Sequence, residues 1–170
     1  DIDLLVTGMT YDEIVARLDA FGKTDTVGKS FAVIKFTRLG RTFDIAVPRR
    51  DRRKDGAGHG HRNFLVQSGP EVSLEEDLGR RDFTCNSIAV RLSDGAVSDP
   101  HLGLPAIAQK RVSMTSPASF SDDPLRVLRA ARFASVHRFA VDKAIYAKAR
   151  SGSIPAHILK ALKERFENEP

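Results

Sequence analysis

Two strand-like runs, residues 31–37 and 42–47, stand on either side of a four-residue segment, 38–41, that contains a glycine. Runs rich in β-branched and aromatic residues, separated by a short turn, predict a β-hairpin. The chain also begins on a strand-like run, residues 1–6, and a second, shorter hairpin is expected over residues 87–98. The first part of the chain is therefore predicted to build a sheet.

Two capping boxes predict where helices begin in this part. Thr10 and Ser73 each stand three residues before a glutamate, and such a pair satisfies free N–H groups of a helix's first turn. The first helix is expected over residues 10–22, with Gly22 ending it. Its buried stripe is predicted from apolar side chains at helical spacing, namely Ile14, Val15, Leu18 and Phe21.

The last third of the chain has a different pattern, rich in Leu, Ala and Arg. Helices are expected over residues 117–138, 141–150 and 156–168. We therefore predict an α+β chain, in which a mixed sheet flanked by helices, residues 1–114, is followed by an all-helical region, residues 115–170.

The 170 residues carry 27 Lys and Arg against 22 Asp and Glu, a formal net charge of +5. Abundant arginine favours a phosphate-rich partner, although a basic domain without such a partner has the same composition.

No apolar run nears the ~20 residues that cross a membrane, and we expect no secretory leader. The lone cysteine, Cys85, excludes an internal disulfide and a multi-cysteine zinc site. It is predicted to be a packing residue, and a reducing, cytoplasmic compartment fits best.

Three aspartates could hold a metal ion. Asp1 and Asp3 are two apart on the first predicted strand, so their side chains share a face, an arrangement that suits Mg²⁺. Asp44 stands between apolar residues in the second strand of the first hairpin, where a charge is costly unless it is paired or metal-bound. The alternatives are a solvated strand end for the first pair and a solvent-facing carboxylate for Asp44.

A polar segment, EDLGRRDFTCN over residues 76–86, follows the second capping box. Its arginine, carboxylate and amide groups could hold ribose hydroxyls and phosphates. The alternative is a charged helix end with ion pairs three and four residues apart. The candidate nucleotide-binding residues in this segment are Arg80, Arg81, Asp82 and Asn86.

A helix is predicted to open at SDDPLR, residues 121–126. Asp123 and Arg126 are three apart and share a face, where an acceptor and a fork of donors suit the edge of a nucleobase. Arg129 and Arg132 continue from Arg126 at the same spacing. The alternatives are that the acidic residues only cap the helix and that the arginines only form a solvated face.

In this order, the DxD pair, the strand aspartate, EEDLGRRDFTCNSIA, DPHLG and FSDDPLRVLRAARFA resemble bacterial tRNA nucleotidyltransferases and poly(A) polymerases. These form the class II, CCA-adding type of the polymerase-β-like superfamily. The resemblance runs from residue 1 to about residue 139, and more loosely to residue 169. It implies a polymerase-β-like nucleotidyltransferase head over residues 1–114 and a helical neck over residues 115–170.

The resemblance implies roles for the acidic candidates. Asp1 and Asp3 match the metal-binding carboxylates of a reaction that uses two Mg²⁺ ions, and Asp44 matches an acidic position on the neighbouring strand. These three aspartates are therefore the expected catalytic residues.

The resemblance also implies how the nucleotide is bound. Arg80, Arg81 and Asp82 match a motif associated with ribose selection and triphosphate binding. Asp123 and Arg126 match the pair that reads the base of incoming CTP or ATP, so that protein rather than nucleic acid acts as the template. Residues 99–111 match a flexible hinge segment, in which Leu102 stands where a second glycine is common.

The segment of residues 49–62 is basic and almost devoid of apolar side chains, which predicts a loop. In a protein that acts on RNA, such a loop would contact the phosphate backbone. The candidate RNA-binding residues are Arg49, Arg50, Arg52, Arg53, Lys54 and Arg62.

The implied activity is template-independent transfer of C and/or A from CTP or ATP to the 3′ end of tRNA. A poly(A) polymerase that adds AMP to RNA 3′ ends is an alternative, because the motifs are shared. A catalytically incomplete nucleotide- or RNA-binding fragment is another, because the glycine loop and the C-terminal body of such enzymes do not occur in these 170 residues. The sequence indicates no oligomeric state and no membrane partner.

Overall fold

The computed structural model describes residues 3–26, 32–53, 64–117 and 125–150. The chain divides into two compact units, the first comprising residues 1–57 with 64–77, the second residues 58–63 with 78–170. The head–neck boundary at residue 114 stays a prediction.

The first unit contains a mixed four-stranded sheet. Its strands are β1 (Asp3–Leu5), β2 (Lys23–Asp25), β3 (Val33–Arg38) and β4 (Arg41–Ala46). In the spatial order β1-β4-β3-β2, β1 runs parallel to β4 and the other neighbours are antiparallel. With its helices this sheet confirms the predicted α+β class.

The hairpin of β3 and β4 closes through a two-residue turn. Arg38 pairs with Arg41, which leaves Leu39 and Gly40 between the strands, with φ angles of 50° and 73°. Two consecutive positive φ angles are the geometry of a type I′ turn, whose twist matches that of the flanking strands. The predicted hairpin is confirmed, and its turn sets the register along both strands.

Helix α1 (Tyr11–Leu18) packs on one face of this sheet. Its predicted capping box is confirmed: the N–H of Glu13 donates to Thr10 Oγ1 at 3.3 Å, and the N–H of Thr10 donates to Glu13 Oε2 at 2.8 Å. The backbone hydrogen bond from Thr10 lowers the pKa of the Glu13 carboxyl. The buried core below the helix consists of Ile14, Ala32, Ile34, Phe36, Ile45 and Val47.

The end of α1 differs from the expectation. The helix ends at Leu18 rather than Gly22, because the chain then turns into β2, with the N–H groups of Phe21 and Gly22 both donating to the Leu18 carbonyl. Phe21 has left the helical face and is 61% exposed, so it does not belong to the buried stripe. Gly22 instead permits close packing, since a Cβ there would lie 2.5 Å from the carbonyl oxygen of Thr37.

The prediction of a loop over residues 49–62 is wrong for residues 49–53, which form a strand. Strand β5 (Arg49–Arg53) pairs antiparallel with β6 (Phe64–Ser68), a strand that the sequence analysis did not assign. Pairing of β5 satisfies its backbone N–H and C=O groups, which does not require apolar side chains on the strand itself. Residues 54–63 lie outside the described part of the chain.

The capping box at Ser73 is confirmed and begins α2 (Leu74–Gly79), the helix in which the division between the two units falls. The second unit continues with a 3₁₀ turn and short elements. They are the turn Thr84–Asn86, strands β7 (Ala89–Val90) and β8 (Val97–Ser98), helix α3 (Gly103–Ala108), strand β9 (Arg111–Val112), helix α4 (Leu125–His137), strand β10 (Ala140–Val141) and helix α5 (Lys143–Arg150).

These elements confirm the second hairpin, β7–β8, and the described parts of two predicted helices, α4 and α5. The helix expected over residues 141–150 starts later, because Ala140 and Val141 first pair in parallel with β9. The third, residues 156–168, lies outside the described residues. Phe83, Val112, Ala130 and Ile145 form the buried core. Among the helices that the structure describes, none is long and apolar enough to cross a membrane.

The segment matched to a hinge, residues 99–111, contains α3. The carboxylate of Asp99 accepts the N–H groups of Gly103 at 2.6 Å and Leu104 at 2.9 Å, which caps the helix. Leu102, which stands where a second glycine is common, has a φ of 59°. This left-handed backbone conformation favours glycine, and it explains why glycine is common at the position of Leu102.

Candidate functional site

The sheet of the first unit places two of the predicted aspartates side by side. Asp3 on β1 and Asp44 on β4 are register partners in a parallel pair. Register partners on adjacent strands project to the same face, about 5 Å apart at their backbones. Both side chains are exposed, and Phe43 and Ile45 on either side of Asp44 pack on the opposite face. Asp1 lies outside the described residues.

A lysine that the sequence analysis did not single out completes this cluster. Lys35 lies opposite Asp44 in the β3–β4 pair, and its Nζ donates to Asp44 Oδ1 at 3.1 Å. The signal was present in the sequence: around a two-residue turn at Leu39 and Gly40, positions 35 and 44 are symmetric and must pair.

The carboxylates of Asp3 and Asp44 fit a divalent cation. Mg²⁺ prefers hard oxygen ligands and binds through one or two carboxylates while keeping water or substrate phosphate as further ligands. Over residues 3–26, 32–53, 64–117 and 125–150, no group of three or more His, Cys, Asp or Glu side chains is placed to enclose a metal ion. The described donors therefore form an open two-carboxylate surface rather than a closed cage.

In the second unit, the side chain of Asp82 is buried, at 8% exposure, and its carboxylate accepts hydrogen bonds from three residues. Its Oδ1 accepts the N–H of Phe83 at 2.9 Å and Nδ2 of Asn86 at 3.0 Å, while its Oδ2 accepts from Arg129. Burial is the largest influence and by itself raises the pKa of the Asp82 carboxyl. The bonds from Asn86 and Arg129, the charge of Arg129 and the Phe83 N–H together outweigh it, so the pKa lies below its ordinary value.

The guanidinium of Arg126 donates hydrogen bonds to the backbone of residues 80–82, here called the RRD segment. It donates from Nη1 to the carbonyl of Arg81 at 3.1 Å and from Nη2 to the carbonyl of Arg80 at 2.7 Å. Arg81 in turn donates from Nη1 to the carbonyl of Asn86 at 3.0 Å. The fold thus brings the RRD segment and the first turn of α4 together. Asp123, the predicted partner of Arg126, lies outside the described residues.

Arg129 and Arg132 border an open cleft of about 250 Å³ on α4. Phe83, Phe133, Val136 and His137 form the rest of its lining. The ring of Phe133 lies 4.3 Å from that of His137 and 5.5 Å from that of Phe83, centroid to centroid. Arg132 is therefore placed beside aromatic surface as well as along the predicted basic stripe.

The basic segment is only partly described. Arg50 donates from Nε to Gln67 Oε1 at 3.0 Å and from Nη1 to Glu76 Oε1 at 2.9 Å, so its guanidinium ties β5 to β6 and α2. The N–H of Arg49 donates to the buried carboxylate of Asp77 at 3.2 Å. For Arg52 and Arg53 the structure describes only the backbone, in β5, and Lys54 and Arg62 lie outside the described residues.

Cys85 is half-buried next to this polar cluster. Burial, followed by the charge of Asp82, raises the pKa of its thiol. A thiol with a raised pKa is a poor nucleophile, which agrees with the prediction of a packing residue.

A mixed sheet with a pair of exposed aspartates, followed by an RRDFT segment in contact with LRVLRAARF, is the arrangement that the resemblance implies for a nucleotidyltransferase head and neck. Residues 1–113, about two thirds of the chain, match the sequence profile described as the poly(A) polymerase head domain. The chain belongs to this family.

Named relatives refine the family. The Multifunctional CCA protein of Stenotrophomonas maltophilia strain K279a is 44% identical over 140 residues, which are 82% of this chain and 31% of that protein. Because 140 residues exceed the 113 of the head-domain profile, the similarity continues into the helical region. The chain matches 24% to 31% of the length of such curated relatives.

Solved structures confirm the fold. The crystal structure of the Bacillus stearothermophilus CCA-adding enzyme in complex with CTP has a TM-score of 0.67 at 29% identity, over 86% of this chain and 33% of that one. The Thermotoga maritima CCA-adding enzyme complexed with tRNA has a TM-score of 0.64 at 25% identity, over 89% of this chain and 34% of that one.

Proposed function

We propose that this chain carries the catalytic and nucleotide-selecting part of a template-independent tRNA nucleotidyltransferase, which adds C and A from CTP and ATP to a tRNA 3′ end. The observation that carries the proposal is the in-register pair of exposed carboxylates, Asp3 and Asp44, in a member of this family. Similarity to proteins named for CCA addition, including one bound to CTP and one bound to tRNA, supports the choice of substrates.

In the proposed reaction the 3′-hydroxyl oxygen of the RNA loses its proton to solvent and forms a bond to the α-phosphorus of CTP or ATP. The bond from that phosphorus to the bridging oxygen of the β-phosphate breaks, and pyrophosphate leaves. Asp3 and Asp44, together with Asp1, would hold Mg²⁺. When bound, Mg²⁺ lowers the pKa of a hydroxyl and neutralises charge that develops on phosphate oxygens. The chain's own part is to present two anionic side chains on a rigid sheet face.

The second unit would bind the nucleotide. Arg80 and Arg81 are assigned to phosphate charge, and Arg126, with Asp123, to the edge of the base. Asp82 holds the segment in shape, because both its oxygens accept internal hydrogen bonds. Arg132, beside aromatic surface in the α4 cleft, offers a further cationic contact. The pairing partners for the base would be these protein side chains, so no template strand would be needed.

The RNA would be held in part by the basic segment. A net charge of +5 favours a polyanion, and phosphate contacts supply much of the affinity of proteins for nucleic acids. Arg50 is engaged with Gln67 and Glu76, so we assign it to supporting the strand pair. Arg49, Arg52, Arg53, Lys54 and Arg62 remain the proposed RNA contacts. A tRNA substrate and a single unpaired cysteine favour the cytoplasm as the compartment.

A poly(A) polymerase is the second candidate, and the description of the matching head-domain profile favours it. The two activities use the same attack on an α-phosphate and differ in when addition stops. The product made from a mixture of CTP and ATP distinguishes them.

The test is incorporation on a tRNA that lacks its 3′ CCA, with Mg²⁺ and labelled CTP and ATP, alone and together, resolved at single-nucleotide length. Ordered addition of C, C and A is expected. A long A ladder would establish the poly(A) polymerase instead. Lack of product from folded chain that binds Mg²⁺-nucleotide would mean that these residues are a binding part of a longer enzyme. The matched control is Asp12→Asn, which removes an exposed carboxylate from α1, on the opposite face of the same sheet, and should leave the product unchanged.

A further inference from the structure

Four charged residues form a row across the sheet of the first unit. Asp3 pairs with Asp44, Asp44 with Lys35, and Lys35 with Asp25, so one register position on each of β1, β4, β3 and β2 carries a charge. All four are exposed on the face opposite the core. Lys35 is the one cation in this row, and it lies between two carboxylates.

We propose that Lys35 is a positioning residue of the carboxylate site, which holds Asp44 in place and competes with a divalent cation for it. The inference rests on the proposed metal-binding role of Asp3 and Asp44. It is carried by the 3.1 Å contact between Lys35 Nζ and Asp44 Oδ1 and by the register that makes this contact an inherent feature of the hairpin.

The physical reason is the balance of charge on one face. Two neighbouring carboxylates repel each other, and the ammonium group of Lys35 offsets part of that repulsion while no metal is bound. A divalent cation on the same carboxylates meets a fixed positive charge within a few ångströms, which lowers its affinity. Lys35 therefore keeps the carboxylates of Asp3 and Asp44 ordered but lowers their affinity for a free divalent cation. Phosphate oxygens of a nucleotide then become necessary as further ligands of the cation.

The experiment is a Mn²⁺ titration of the full 170-residue chain, followed by paramagnetic broadening of backbone amide signals in a nuclear magnetic resonance spectrum. Mn²⁺ serves as the probe because it shares the oxygen ligands of Mg²⁺. Lys35→Gln should raise the Mn²⁺ affinity at β1 and β4 by about threefold at low salt, and the gain should shrink at high ionic strength. Lys35→Arg, which keeps the charge, should stay close to the unaltered chain.

The matched control is Lys23→Gln, which removes the same charge from β2 of the same sheet, two residues from Asp25. It should leave the affinity unchanged. An affinity that Lys35→Gln lowers or leaves unchanged overturns the role of Lys35, while the metal site stands if β1 and β4 still broaden and Asp44→Asn abolishes that broadening. If Mn²⁺ does not broaden β1 and β4 in the unaltered chain, both the metal assignment and the inference drawn from it fail.

Discussion

Arg129 donates a hydrogen bond from Nε to Oδ2 of Asp82 at 2.8 Å, and its Nη2 forms an ion pair with the same oxygen at 2.7 Å. The carboxylate is buried at 8% exposure, and its other oxygen holds the turn that begins at Phe83. This pair therefore links α4 to the RRD segment, as do the hydrogen bonds from Arg126 to the carbonyls of Arg80 and Arg81.

Asp82→Asn should destabilise the second unit by about 2 kcal/mol, because it leaves Arg129 without its anionic partner. The measurement is the free energy of unfolding from urea denaturation. Asp94→Asn is the control: it breaks an exposed ion pair with Arg91 and should cost less than about 1 kcal/mol. Equal losses in the two variants would contradict the central role of Asp82.

The same carboxyl predicts a pH dependence. The pKa of Asp82 lies below its ordinary value of 3.8 in the folded chain, so the unfolded chain binds its proton first as the pH falls. The stabilisation is fully present above the unfolded value and is lost as the pH falls through the lower folded value. Urea unfolding midpoints should be measured from about pH 6 to about pH 2.5, a range that spans the unfolded pKa. As the pH falls, the midpoint of Asp82→Asn should decrease less steeply than that of the unaltered chain. A parallel fall in both proteins would assign the acid sensitivity to other carboxyls.

Asp3→Ala should reduce nucleotide incorporation by about 100-fold or more, because a metal-binding carboxylate is lost from the site. Stability should change by less than about 0.5 kcal/mol, since the side chain is exposed. Initial incorporation rates and urea unfolding check the two parts. Full activity in this variant would rule out the metal assignment.

Arg126→Ala should weaken discrimination against GTP and UTP, because the donor fork assigned to the base is removed. Incorporation of all four nucleotides is measured, as ratios of kcat/KM to that for CTP. The variant also loses two bonds to the carbonyls of Arg80 and Arg81, so stability should fall by about 2 kcal/mol. Lower stability with unchanged nucleotide ratios would show that Arg126 serves the fold alone.

Gly22→Ala should destabilise the first unit by about 2 kcal/mol. The new Cβ would stand 2.5 Å from the Thr37 carbonyl oxygen and 2.8 Å from the Phe36 ring, so the strand or the helix must move. Gly40→Ala is the comparison, because it meets no neighbour within 4 Å but must hold a φ of 73°, a cost of about 1 kcal/mol. Thermal unfolding of both variants checks the prediction, and Gly22→Ala should lower the unfolding temperature more than Gly40→Ala.

Local features of the fold could be predicted from the sequence because their causes are local. The capping boxes at Thr10 and Ser73 need only two side chains three residues apart, and the β3–β4 hairpin needs only two strand-like runs and a turn. The strand character of Arg49–Arg53 could not be predicted, because its hydrogen-bond partners lie in Phe64–Ser68, beyond ten intervening residues.

The candidate site divides in the same way. The sequence by itself determined which residues are candidates for the chemistry, since carboxylates, arginines and their spacing are visible in the chain. Only the tertiary structure placed Asp3 beside Asp44, buried Asp82 against Arg129 and paired Arg50 with Glu76. The physical reason is that a side chain's neighbours across a sheet or between a turn and a helix are set by non-local pairing of backbone and core, for which spacing along the chain carries no signal.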